Sequence, residues 1–509
     1  MNKIATNTWQ QYDAGCAYKR RLGLYETVRR NESFYRGDQW QGGAETLPHP
    51  VFNVVRRVID YLIGAVLPED VSIHFSDEKL PYVNNAAMRR AISEGLSLLD
   101  RNAAYRWRQS KMTTLVHRAL LNAAVSGDGV FYCWWDSEKD CGQPFLGDVR
   151  TDLLSNTDLF VADVNSTDLQ SQEYIILSGR AMVDALRREA RLAGVDEEAI
   201  KKITPDSDVE KESGAFAGID MEGAEKATYL IKFYRENGEV VFEKSTKDCL
   251  IRRVHTGLHR YPVAYFNWFP VQKCFHGASP ITDMIPNQKY INTAYAMMMK
   301  HMSDTAFSKI IYDKSRIPEW SNEVGEAIAA MGGGNVSDAV SVVGVGRMQE
   351  GYLDLINNVI ENTKSMMGAT ESALGDERAR NTSAIIALQE ASRISLLGID
   401  TRLSACLSDL AAIWADMLCT YCVDGRLLPF DGEDGLTARS ADYAILRQEL
   451  LNAAVEIGHT GRYSPSTTVS TLNKLLEEGH LTTEQYLKFL PCGVLSNRDS
   501  ILQEITMKG

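Results

Sequence analysis

No apolar stretch in this 509-residue chain, Val51 to Val55 and Val340 to Val345 included, approaches the ~20 residues needed to cross a bilayer, so the sequence predicts no membrane span. Met1 to Trp9 hold no apolar core of a secretory signal, which predicts folding in a cytosolic compartment. The nine cysteines are scattered and odd in number, an arrangement that argues against a disulfide framework and predicts free thiols. Positive charge is in deficit, with 54 Lys and Arg against 67 Asp and Glu and a net charge of −13. Tight DNA binders use basic surfaces to displace counterions from phosphate, so this balance is unfavourable for a DNA clamp and compatible with a DNA channel. What is present, 44% apolar and 24% charged residues, is the composition of a folded chain long enough for several domains and not that of a disordered one.

Signatures of covalent chemistry are equally sparse. There is no Gly-x-x-x-x-Gly-Lys-Ser/Thr phosphate loop, and Gly344-Val-Gly346 lacks the third glycine of a dinucleotide fingerprint. Cys419-Thr-Tyr-Cys422 has CxxC spacing but no second pair or histidine cluster, and it falls at the end of a long helical pattern. It reads as a packed helix end. His255 and His259 are four apart, yet Gly257 and Pro262 point to a turn and no third ligand is near. The expectation is a protein with no catalytic residues, no bound metal and no cofactor.

Hydrophobic periodicity gives an α+β, mainly helical chain. Tyr12 to Arg36 carries Tyr18, Leu22, Tyr25, Val28 and Phe34 among arginines and predicts one amphipathic helix ending at Gly37. Asn53 to Leu67 repeats the pattern up to Pro68, and Met88 to Ala124 continues it until Gly127-Asp-Gly129 turns the chain into the β-rich Val130 to Trp135. Strands are predicted at Tyr174 to Leu177, Tyr229 to Tyr234, Val240 to Glu243 and Val263 to Trp268, around a helix at Met182 to Ala193, with the charged stretch Asp196 to Glu225 as an excursion. Ser279 caps and Pro280 opens a helix whose apolar side runs through Ile281, Met284, Ile285, Ile291, Tyr295, Met298 and Met302. Next come β-prone Ile310 to Tyr312, a small helix near Glu319 to Met331, and β-prone Val340 to Val345. The chain then returns in a helix over Tyr352 to Met367, whose stripe of Tyr352, Ile356, Val359, Thr363 and Met366 needs a partner helix. A polar loop at Gly368 to Asn381 precedes a long helix over Thr382 to Cys422, and Asp431 to Gly435 marks a boundary. Helices are expected beyond it at Ala441 to Ile457, Ser466 to Glu478 and Thr482 to Leu490.

Three segments carry a resemblance. They are Asn31-Glu-Ser-Phe-Tyr-Arg-Gly-Asp-Gln-Trp40, Gly277-Ala-Ser-Pro-Ile-Thr-Asp-Met-Ile-Pro-Asn-Gln-Lys-Tyr-Ile-Asn292, and Glu478-Gly-His-Leu-Thr-Thr-Glu-Gln-Tyr-Leu-Lys-Phe-Leu-Pro491. In content and order they resemble bacteriophage portal proteins over roughly residues 20 to 505. The chain departs from that family after the polar loop, where Thr382-Ser-Ala384 stands for the usual Ser-Gly. The resemblance implies a wing at 1–278 and 382–435, stem helices at 279–308 and 352–367, a clip at 309–351, a tunnel loop at 368–381 and a crown at 436–509. It further implies a ring of about twelve subunits at one capsid vertex of the virion, assembled in the host cytoplasm. Its expected partners are the terminase large subunit, a head-completion or adaptor protein, and the major capsid and scaffolding proteins. Double-stranded DNA would pass through without sequence specificity, and no membrane is involved.

Around such a ring, the loop charges Glu371, Asp376, Glu377, Arg378 and Arg380 would contact or repel the DNA backbone, and contacts to phosphate carry no sequence information. The alternatives are a solvated loop that joins two helices and a metal site on Asp376 and Glu377 serving a nuclease. The charge of −13 suits a lining along which DNA slides, and it equally suits ordinary solubility. Trp40, Trp107, Trp134, Trp135 and Trp268 are expected as core or interface anchors. Trp320, beside Glu319 in the expected clip, is either an exposed docking side chain or buried there. A structural capsid or scaffolding protein without a channel is the remaining alternative.

Overall fold

The computed structural model describes residues 2–40, 47–68, 70–76, 82–206, 225–306, 309–321, 323, 327–343, 351–369, 396–422, 425–432, 435–448, 453–458 and 465–489. The N-terminal pattern, expected as one helix over 12–36, forms two: α1 (Asn2–Arg21) and α2 (Leu24–Arg36). Gly23 between them takes φ 65°, a left-handed conformation that glycine adopts without steric cost and that ends one helix before the next begins. Helix α3 (Val54–Val66) buries Val55, Val58, Ile59, Leu62, Ile63 and Val66 at three- and four-residue spacing. Each such side chain contributes ~1.5–3 kcal/mol when removed from water. Helices α4 (Ala86–Gln109) and α5 (Met112–Ser126) lead to Gly127 and the first large strands.

Strand β1 (Asp70–Phe75) lies between α3 and α4. Strands β2 (Asp128–Asp136), β3 (Asp148–Leu154) and β9 (Val263–Asn267) form an antiparallel sheet in the order β3-β2-β9. A second antiparallel sheet runs in sequence order through β4 (Leu159–Val161), β5 (Tyr174–Met182), β6 (Lys226–Glu236), β7 (Glu239–Ser245) and β8 (Leu250–His255). Asn237 and Gly238, both with positive φ, form the two-residue β6–β7 turn that Asn-Gly favours. Helices α6 (Val183–Leu192) and α7 (Glu197–Ile200) cover one end of this sheet over a small core that includes Leu186, Ile200, Ala227 and Ile251.

Helix α8 (Pro280–Thr305) runs to β10 (Lys309–Tyr312), which pairs antiparallel with β11 (Val340–Val343), and α9 (Gly351–Met366) returns along α8. The small helix expected near Glu319 to Met331 is absent among the described residues of that stretch. Instead the Met331 N–H donates to the Arg316 carbonyl at 2.7 Å. Helix α10 (Leu397–Tyr421) is the described part of the expected long helix and the most deeply packed element, burying residues all round, from Leu403 and Leu407 to Trp414 and Leu418. By length and composition it could cross a membrane, but 67% of its most apolar window is buried in the fold, as in a core helix.

The Asp431–Gly435 boundary falls where β12 (Leu427–Gly432) ends and β13 (Gly435–Ser440) begins, two strands that pair antiparallel. The helix expected over 441–457 is corrected: α11 (Tyr443–Gln448) is short, and Ala453–Gly458 is strand β14, paired antiparallel with β1. An unpaired edge on β1, distant in sequence, claims those residues, and backbone pairing of this kind overrides local helix preference. The C-terminal α12 (Pro465–Glu477) and α13 (Thr483–Phe489) are joined by Gly479 in a left-handed conformation. Thr482 and Gln485 form a reciprocal capping box, each accepting the other's backbone N–H at 3.3 and 3.0 Å.

Candidate functional site: the root of the α8–α9 hairpin

Two of the three quoted segments, some 250 residues apart in sequence, meet at the root of α8. Ser279 caps this helix, its hydroxyl accepting the Ile281 N–H at 3.1 Å and donating to the Ala124 carbonyl at 2.5 Å, so one hydroxyl ties the helix start to α5. From there the amides take over. The Gln288 Oε1 accepts the N–H groups of Val54 and Val55 at 3.0 and 3.3 Å, two of the donors that the first turn of α3 leaves without a helical partner. Its Nε2 donates to the Phe52 carbonyl at 2.8 Å and to the Asn292 Oδ1 at 2.9 Å. Asn292 donates in turn to Gln39 at 2.7 Å, and Gln39 to the Phe34 carbonyl at the end of α2 at 2.8 Å. Asn31 completes the seam, donating to the Thr282 hydroxyl at 3.0 Å and to the Val125 carbonyl at 2.9 Å. Asn31, Gln39, Gln288 and Asn292 are all buried. The result is a satisfied amide relay that fixes the direction of α8 against α2 and α3, where any missing member would strand the others.

A second polar knot lies just before the helix. Asp128, fully buried, accepts the Tyr265 hydroxyl at 2.7 Å, the Gly277 N–H at 2.7 Å and the Asn156 amide at 2.9 Å, and faces His276 Nδ1 at 2.8 Å. A carboxylate only accepts, so the proton of that last bond sits on Nδ1. Burial, and next the nearby Asp128 charge, push the Tyr265 phenol well above its ordinary range and keep it a donor. Gly127 and Gly277 cross closely: a Cβ on Gly127 would lie 2.4 Å from the Gly277 carbonyl oxygen, and Gly127 has φ 94°. Lys19 closes the knot from α1, its ammonium donating to the carbonyls of Asn156, Thr157 and Leu159 at 2.8, 2.8 and 2.7 Å. Burial pushes it down from 10.5 to about 7, opposed by Asp158, Cys16 and Asp128.

Further along, the hairpin leaves the body. Every buried residue of α8 lies at or before Ala296, while Met297, Met299 and Met302 are exposed. Of the expected stem-packing residues, Ile356 and Thr363 are buried and Val359 is half-buried. Tyr352 and Met366 are exposed, at 49% and 76%. The two helices are pinned where Asn287 donates to the Thr363 hydroxyl at 3.0 Å, which donates to the Val359 carbonyl at 2.7 Å. At the hairpin tip Trp320 is half-buried and stacks on Tyr312, ring centroids 5.2 Å apart, and Glu319 is exposed. Glu371, Asp376, Glu377, Arg378 and Arg380 lie outside the described residues.

The residues weighed for covalent chemistry do not converge. Cys419 and Cys422 are buried free thiols, pushed up by burial to about 12 and about 11, far from the thiolate a nucleophile or metal ligand requires. His255 is exposed near Glu236, whereas His259 faces Asp416, whose carboxylate also accepts the N–H groups of His259 and Arg260. Among the described residues no group of three His, Cys, Asp or Glu side chains has a metal-binding arrangement. Trp268 is buried, as expected of an anchor, and Trp134 and Trp135 are half-buried.

The relay residues all lie inside the quoted segments, but their pairing is not visible in the sequence. In the sequence Asp128 reads as a turn residue, and no local pattern marks Lys19, Asn156, Tyr265 or His276. The available signal was a carboxylate flanked by two glycines at the head of an apolar strand, a place where a charge must find partners on folding.

Residues 262–443, from the end of the three-stranded sheet through the hairpin and α10 to α11, match the family model described as Phage P22-like portal protein. No curated protein matches the chain.

Proposed function

We propose that this chain, a phage portal protein by that family match, works as one subunit of a closed ring of about twelve at a single capsid vertex, through which DNA is packaged and ejected. The portal family is structural, forms oligomeric rings and belongs to the virion. The observation that carries the finer reading is the hairpin itself. A pair of helices rooted by a buried amide relay extends beyond the body with Met297, Met302, Tyr352, Leu353 and Leu355 uncovered. Large apolar side chains exposed on two adjacent helices call for a partner, and heterologous contacts between identical subunits close into a ring when the rotation permits.

In this reading α8 and α9 are the stem, 309–351 the clip, 368–381 the tunnel loop, and 436–509 the crown, with the wing at 1–278 and 382–435. Clip residues Glu319 and Trp320 would meet the terminase large subunit during packaging and a head-completion protein afterwards, with major capsid and scaffolding proteins around the wing. Assembly would take place in the host cytoplasm. The loop charges Glu371, Asp376, Glu377, Arg378 and Arg380 would act on passing DNA without reading its sequence, and the net charge of −13 suits a conduit that does not grip phosphate. Energy for translocation would come from the terminase, and no covalent chemistry is assigned to the portal.

Negative-stain electron microscopy with mass determination on the purified full-length protein tests this. A ring with a central hole and about twelve subunits is the expected result. A monomer or dimer at high concentration overturns the ring.

A further inference from the structure

We propose that the body holds a binding pocket for a small aromatic carboxylate, in the cavity between the five-stranded sheet and the C-terminal end of α10. The site is separate from the hairpin and does not rest on the portal reading. The cavity is about 360 Å³, within the range of small-molecule sites, which are typically apolar with a few placed polar groups. Aromatic side chains line part of it, among them Tyr132 and Trp134 from β2, Phe233 from β6, Phe242 from β7 and Tyr421 from α10. Such walls favour a planar, aromatic body stacked or edge-on between rings.

The positive charge comes from the sheet, and one carboxylate, Glu189 of α6, lines the same cavity. Lys244 and Arg252 are direct cross-strand partners in the β7–β8 register, and both line the cavity. Like charges directly opposite one another are unfavourable, so this pair calls for an anion. Lys244 has one, the Glu189 carboxylate at 2.7 Å. Arg252 is exposed, packs over the Phe242 ring at 5.3 Å, and has no ion pair among the described residues. The neighbouring register position contrasts with it, since Glu243 and Arg253 pair with each other at 3.3 Å. The ladder is irregular between Lys244 and Ser245, a distortion of the kind that re-aims side chains beside binding sites. A guanidinium at the mouth of an aromatic cavity suits a carboxylate, which it can grip with two parallel N–H groups. The Tyr421 phenol, pushed up to about 12 by burial, stays protonated at neutral pH and, lining the same cavity, can donate.

Isothermal titration calorimetry of the full-length protein with 2-naphthoate, and with the neutral 2-naphthamide of the same shape, tests the pocket. The expected result is saturable binding at one site per subunit, with 2-naphthamide weaker by about tenfold or more, the value of one charge-assisted contact. Arg252→Glu and Arg252→Gln should each lose about tenfold or more, and Val254→Trp, which fills the cavity, should abolish binding while far-UV circular dichroism and thermal melting stay as in the wild type. Absence of saturable 2-naphthoate binding to the wild-type protein overturns the proposal. So does equal binding of the two ligands, a comparison that needs no variant to fold.

Discussion

Gln288 shows how one side chain sets the geometry of a long element. Its amide serves two N–H groups at the start of α3, one carbonyl before it and the Asn292 side chain, all within a buried seam. Leaving a buried polar group unsatisfied costs ~1–3 kcal/mol, so Gln288→Ala should lower stability by about 3 kcal/mol, read from the urea unfolding midpoint. A loss below about 0.5 kcal/mol would mean that water replaces the amide. Lys19 makes a different residue-scale prediction. Its folded value of about 7 lies below the ordinary 10.5, so between those values the unfolded chain binds more protons and stability rises with pH. Its contribution is fully present above about 10.5 and lost as pH falls through about 7. Lys19→Met should therefore unfold with a flatter stability profile between pH 7 and 10 than the wild type, and an unchanged slope would show that the three carbonyls hold the ammonium charged throughout.

At the scale of elements, the hairpin separates positions that hold the fold from positions free to make contacts. Ile356 is buried on the helix that runs along α8, and Met366 is exposed. Ile356→Asp should destabilise the subunit by about 3 kcal/mol or more through an unpaired buried charge, whereas Met366→Asp should leave subunit stability within about 0.5 kcal/mol. Thermal melts of both variants decide it, and equal melting temperatures would show that the hairpin is not packed through Ile356. These helices were legible because caps and three-to-four spacing are local. Asn53 and Ser279 mark the starts of α3 and α8, and the predicted ends of α3 and α9 lie within a residue of the observed ones. Less local features were not legible. Gly23 breaks a continuous apolar pattern through its left-handed backbone alone. β14 exists only because β1 lies beside it. β3 and β8 alternate too weakly to stand out, with exposed Arg150, Arg252 and Arg253 in short strands. At the hairpin root the sequence marked the segments of Asn31, Gln39, Gln288 and Asn292, but a relay across some 250 residues is a property of the packed helices.

At the scale of the whole molecule, the root and the tunnel loop have separable duties under the ring reading. The relay and the Asp128 knot fix where the hairpin leaves the body, while in that reading residues 368–381 would bear on what passes through the centre. Assembly should then be insensitive to the loop. Deleting Gly375 to Arg378 removes Asp376, Glu377 and Arg378 without touching the apolar face of the hairpin, so rings of wild-type mass should form. DNA should be affected, because repeated around a ring these charges set the potential that a polyanion meets along the channel. The expected result is intact rings by electron microscopy, with packaged or retained DNA reduced in a complementation assay. Normal packaging by the deletion variant would remove the tunnel-loop role and leave 368–381 a connector between two helices. Loss of rings would instead place the loop in the subunit interface.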